Sequence, residues 1–134
     1  MRELYQRLHQ AWNDRDADAF AALFADDGVA IGFDGSQMYG RAEIAETLKT
    51  IFADHPTGRY VGVVKAERAG LVVAYAGLVP DGQSDVNSDL NAVQTLVADD
   101  GKIVLFQNTP AAYHGRPEQA EAMTAELRAA LAAS

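Results

Sequence analysis

A chain of 134 residues, 49% of them apolar, fits one domain around a single core. It has no cysteine, which excludes a disulfide framework, a thiolate zinc site and a cysteine nucleophile, and suits a reducing compartment. A formal net charge of -8 sets most of the surface against DNA, RNA or an anionic membrane face, and chiefly serves solubility.

Residues Met1 to Arg7 carry charge where a secretory signal needs an apolar run. No stretch approaches the roughly 20 apolar residues of a membrane span, so a cytoplasmic protein is expected. Leu4, Tyr5, Leu8, Ala11 and Trp12 recur at helical spacing and predict a first amphipathic helix, ended by Asn13-Asp14-Arg15-Asp16. Asp16 is placed to cap a second, short helix carrying Phe20, Leu23 and Phe24, and Asp18 suits its positive end. Asp26-Asp27-Gly28 is expected to stop that helix.

Val29–Phe33 reads as a strand, Asp34-Gly35 as a turn and Gln37–Tyr39 as a short return strand. Gly40 then precedes a third helix with the stripe Ile44, Leu48, Ile51, Phe52 and His55, which Pro56 ends. Residues 59–68, 71–79, 90–98 and 102–110 predict four long strands joined by short links, hence antiparallel neighbours. Only the polar segment 80–89 is a longer loop. Pro117 opens a last helix marked by Ala120, Met123, Leu127 and Leu131.

Helices set before an antiparallel sheet predict an α+β layer fold spanning residues 1–134 as one domain. The late strands carry apolar residues on both faces: Val93 and Val97 against Ala92 and Leu96, Ile103 and Leu105 against Val104 and Phe106. Such a sheet needs two covers. Helices are expected on one face and a second copy of the sheet on the other.

The segments AWNDRDADAFAALFADDGVAIGFDG, YGRAEIAETLKTIF and DGKIVLFQNTP, in this order, resemble the nuclear-transport-factor-2-like superfamily. Within it the chain is most similar to small bacterial SnoaL-like and SgcJ/EcaC-type members, over about residues 3–112. The resemblance implies a cone: a curved, antiparallel or mixed sheet wrapped around the N-terminal helices in a cystatin-like roll. It also implies a homodimer joined through the sheet, and a pocket lined by the first and third helices. The helix at about 117–132 is an extension that the resemblance does not explain. Relatives often read His-Asn-Thr where this chain has Gln107-Asn108-Thr109.

The superfamily holds isomerases, cyclases, dehydratases, epoxide hydrolases and non-catalytic binders, so fold alone selects no activity. The ketosteroid-isomerase pattern needs a base on the first strand, a tyrosine on the first helix and a protonated acid on a late strand. Ile31 and Gly32 stand where the base would fall, Leu8 where the tyrosine would fall with Tyr5 a turn away, and residues 90–98 contain no acid. That reaction is not expected.

His55, on an apolar helical stripe near the helix's negative end, is the leading acid–base residue, against a purely structural role. Asp34 is a second base, although turn chemistry already accounts for it. Trp12 and Tyr39, with Tyr60, are aromatic candidates for a pocket wall. Gln94, Gln107 and Asn108 place amides in strands that favour apolar residues, so each needs a polar partner, in a ligand or in the protein. Gln107 and Asn108 point to opposite faces, so at most one meets the pocket.

No metal is expected: the three histidines are dispersed, and Asp85-x-Asn87-x-Asp89 lacks the glycine and closing glutamate of a calcium loop. No phosphate loop, dinucleotide fingerprint or nucleophile elbow is present, so no cofactor is expected either. These features predict a binder of a small hydrophobic molecule, such as a polyketide-type metabolite. It would be either a cofactor-free acid–base enzyme or a non-catalytic accessory protein.

Overall fold

The computed structural model describes residues 1–134. Helices α1 (Arg2–Asn13) and α2 (Ala17–Ala22) open the chain, followed by strands β1 (Phe24–Ile31) and β2 (Gln37–Tyr39) and helix α3 (Arg41–Asp54). Strands β3 (Arg59–Arg68), β4 (Leu71–Val79), β5 (Ala92–Asp99) and β6 (Lys102–Pro110) follow, and helix α4 (Pro117–Ala133) closes the chain. The strands form one curved six-stranded sheet in the order β2-β1-β6-β5-β4-β3. All neighbours are antiparallel except β1 and β6, so the mixed α+β roll expected from the sequence is observed.

Local chemistry sets the element ends. Asp16 accepts from the Ala19 amide at 2.9 Å and caps α2. Gly40, at φ +86, turns the chain into α3 in a conformation that a side chain would strain. Pro117 stands in the first turn of α4. The Asn13 side chain acts as a short piece of strand at the end of α1. It accepts from the Tyr60 amide at 2.8 Å and donates to the Tyr60 carbonyl at 3.0 Å.

Several boundaries differ from the sequence expectation, among them the end of β1 at Ile31 rather than Phe33. Helix α2 stops at Ala22, four residues before Asp26, and β1 begins at Phe24 rather than Val29. Phe24 pairs with Ile103, and the register shifts before Val29 resumes opposite Leu105. The acidic pair thus sits in a strand irregularity rather than at a helix end. Strand β5 begins at Ala92, because Asn87 accepts from the Asp89 amide at 3.0 Å and winds Ser88–Leu90 into one tight turn. A second register shift, between Val97 and Ala98, breaks the simple alternation in β6. Ile103 therefore shares the inner core with Phe106, instead of opposing it as period two predicts.

The concave face of the sheet packs on α1, α2 and α3. Leu8, Phe24, Ile44, Leu48, Leu96 and Ile103 are fully buried there, each aliphatic contributing about 1.5–3 kcal/mol. The convex face is covered differently. Helix α4 lies across β3 and β4, and Met123 and Leu127 close a second cluster with Val61, Val79 and Val86. Gly77 admits this helix: a β-carbon there would stand 3.0 Å from the Leu127 methyl. The Asn91 amide, buried beneath α4, donates to the Tyr113 hydroxyl at 2.9 Å and to Thr124 at 3.0 Å. Part of the cover that the sequence assigns to a second copy is thus supplied by the chain itself. No helix is long and apolar enough to cross a membrane.

Candidate functional site

The cone holds a cavity of about 660 Å³ between its helices and the concave face. Trp12, Phe20, Leu48, Ile51, Leu78 and Phe106 supply much of its apolar wall. Ala30 lines the cavity from the sheet, and Ala74, Ala76 and Ala92 are buried on the same face. Trp12 stands edge-on to Tyr60 and Phe52, with ring centres 4.9 and 5.1 Å away. Its indole nitrogen is buried without a hydrogen-bond partner. Tyr60 lines the cavity beside it, and burial pushes its phenol up to about 12, so the hydroxyl keeps its proton at neutral pH.

His55 and Asp81 stand together on the lining. His55 is the residue that ends α3 rather than a member of its buried stripe, and its side chain is 67% exposed. Its Nδ1 lies 3.0 Å from Asp81 Oδ2. A carboxylate only accepts, so Nδ1 carries the hydrogen and Nε2 is left free. The other Asp81 oxygen accepts from the Thr57 amide at 2.8 Å, the Gly58 amide at 2.6 Å and the Thr57 hydroxyl at 3.2 Å. The Thr57 amide first, and the His55 ring with the remaining donors, hold the Asp81 carboxyl below the usual carboxylate range, against its partial desolvation. Asp81 is therefore a fixed anion that both orients His55 and ties down the turn after α3.

Asp34 also lines the cavity, on the turn after β1. Its exposed carboxylate accepts from the Ser36 amide at 2.9 Å, and Ser36 holds its pKa down. A depressed carboxylate is a poor proton acceptor near neutrality. Tyr39 is 59% exposed on edge strand β2 and does not line the cavity, whereas its neighbour Met38 does. Gln107 lies on the convex side, within 3.4 Å of Thr109, opposite Thr95 in register.

Asn108 faces the cavity, and Gln94 stands behind it. Gln94 Nε2 donates to Asn108 Oδ1 at 2.8 Å, and Asn108 Nδ2 lies 3.3 Å from the Ile31 carbonyl. Gln94 Oε1 receives the Tyr5 hydroxyl at 2.6 Å and lies 2.8 Å from His9 Nε2. Burial raises the Tyr5 phenol further above its usual range, and lowers His9 to about 4 despite the Gln94 hydrogen bond. Both are thus uncharged at neutral pH. Gly62 makes room for the pair, since a β-carbon there would meet the Tyr5 ring and come within 2.8 Å of His9 Cε1.

Neither His9 nor Asp81 is among the candidate site residues that the sequence marks. His9 had a readable signal: it lies four residues after Tyr5 and three before Trp12, on the buried side of α1. Asp81 had none, because its partner is 26 residues away across a loop.

A family model for the SnoaL-like domain matches residues 5–106. Among proteins of curated function, none matches the chain. A cystatin-like-fold domain of unknown function from Nostoc punctiforme superposes with a TM-score of 0.73 at 23% identity, over 99% of this chain and 94% of that one. An NTF2-like protein of unknown function from Cytophaga hutchinsonii gives 0.63 at 14% identity, over 88% and 93%. A candidate polyketide cyclase from Xanthomonas campestris gives 0.57 at 25% identity, over 84% and 91%.

Proposed function

The chain belongs to the SnoaL-like domain family, and from that premise we propose that it binds a small, largely apolar metabolite and acts on it by cofactor-free acid–base chemistry. The observation that carries this reading is the cavity of about 660 Å³, apolar over most of its wall, with the His55–Asp81 pair on its lining. Pockets of roughly 300–1,000 Å³ take ligands of drug-like size. Such a wall favours a flat hydrocarbon frame, and the few polar groups orient it.

His55 is the acid–base residue in this reading. With Nδ1 held by Asp81, Nε2 is directed away from the carboxylate and accepts a proton from the substrate. The fixed Asp81 anion stabilises the imidazolium that forms, and the same nitrogen returns the proton to another atom of the substrate. That exchange serves an isomerisation, a cyclisation or a dehydration beside a carbonyl. The name of the Xanthomonas relative favours polyketide-type intermediates as the substrate class. His55→Gln is expected to abolish turnover of such a substrate while its binding persists. Unchanged turnover removes His55 from the mechanism.

A second reading, a non-catalytic binder, is favoured by one observation. The ketosteroid-isomerase base position is filled by Ile31 and Gly32, and the polar group beside the buried network is the amide of Asn108. A substrate-class compound that binds without conversion, equally well to wild type and His55→Gln, supports that reading.

We further propose that the chain works as a homodimer. Val29, Val93, Val97 and Leu105 alternate away from the core and are only half-buried, on the part of the convex face beyond the strands that α4 covers. Sedimentation should give the mass of two chains, and Val97→Asp should give one. A single-chain mass for the wild type sinks the dimer without touching the cavity.

A further inference from the structure

Amide side chains can be reversed end for end without changing their shape, so a chain of them carries polarity only if something immovable sets it. Here that anchor is the backbone carbonyl of Ile31, which can only accept. Asn108 must therefore turn its nitrogen toward Ile31, 3.3 Å away, because the reversed amide would bring two acceptors together. Its oxygen then faces Gln94, which must answer with its own nitrogen at 2.8 Å. Gln94 Oε1 is consequently left for Tyr5 and His9, at 2.6 and 2.8 Å, and both must donate. The two lone pairs of that oxygen are then filled, and no amide in the chain is free to flip.

Resting on the proposed binding role of the cavity, we infer that Asn108 is a specificity residue whose nitrogen is held as a hydrogen-bond donor to the ligand, with Gln94, His9 and Tyr5 as positioning residues that lock its polarity. Of the two hydrogens on Asn108 Nδ2, one goes to Ile31 and the other is available to the cavity that Asn108 lines. The ligand atom opposite it is an acceptor: a ketone, ester or enolate oxygen rather than an amine or a hydrocarbon edge. The lock also fixes His9 as the tautomer protonated on Nε2, with Nδ1 bare. Depression of the His9 pKa by burial keeps the ring neutral, as a single-donor role requires.

Two measurements test this. The first uses a near-isosteric pair of flat probes, 2-acetylnaphthalene and 2-ethylnaphthalene, bound to wild type and to Asn108→Leu. The ratio of ketone to hydrocarbon affinity should fall about tenfold in the variant, the value of one hydrogen bond. A ratio that does not change overturns the donor role. Failure of both probes to bind wild type overturns the cavity reading and this role together, so the two failures are distinct. The second measurement needs no variant: nitrogen-15 NMR of the wild type at pH 7 should show His9 protonated on Nε2 and bare on Nδ1. The opposite tautomer overturns the polarity lock.

Discussion

The two faces of the sheet are closed by different means. On the concave side three helices close on the sheet in a core that is tight around Phe24 and Ile103 and open around Trp12 and Tyr60. On the convex side one helix seals β3 and β4 with a small cluster around Leu127, and Asn91 beneath it bonds to Tyr113 and Thr124. The difference shows how one sheet supports both a closed scaffold and an open cavity. The amide chain is tolerated on the concave side because each of its side chains finds a partner there. The convex cluster serves to hold α4 in place.

The largest expected effect lies in the concave core. Phe24→Ala should cost about 4 kcal/mol in urea unfolding, since a fully buried ring leaves a cavity that strands on both sides cannot close. Leu127→Ala, in the smaller convex cluster, should cost about 3 kcal/mol and leave probe binding in the cone unchanged. If it abolishes that binding, the two faces are not independent. Gly62→Ala should cost about 2–3 kcal/mol, because the added methyl overlaps Tyr5 and His9 and forces both to shift.

The concave polar chain should also make stability depend on pH. The folded pKa of His9 is about 4, below the 6.5 of the free side chain, so the unfolded state binds its proton first. The penalty is absent above pH 6.5, grows as pH falls toward 4 and is constant below it. For a ring with one partly open side it amounts to on the order of 2 kcal/mol. His9→Gln, which keeps a donor toward Gln94, should flatten that window in denaturant titrations at pH 4, 5 and 6.5. Asp81→Asn should affect folding least of all. It removes the anion behind His55, so turnover should fall while the thermal midpoint barely moves.

Much of the architecture was legible from periodicity. The stripes of α1 and α3, the cap at Asp16, the turn at Gly40 and the four long strands are local patterns, and local sterics and solvation enforce them. Of the candidate residues, Trp12, Tyr60, Asp34, His55 and Asn108 line the cavity, while Tyr39 and Gln107 lie elsewhere. Tyr39 went astray because a three-residue edge strand has too few residues to reveal its inward face. Gln107 and Asn108 could not be told apart, since period two says only that they oppose each other.

The amino-acid order alone therefore determined the elements, their caps, the two-sided greasiness of the sheet and the family. Tertiary structure alone decided the parallel pairing of β1 with β6, the three register shifts in the sheet, the seat of α4 and the sense of the amide chain. The reason is one of range. Helical and strand periods act over a few residues, whereas the Tyr5 hydroxyl meets an amide 89 positions away and Asn108 takes its orientation from a carbonyl 77 positions before it.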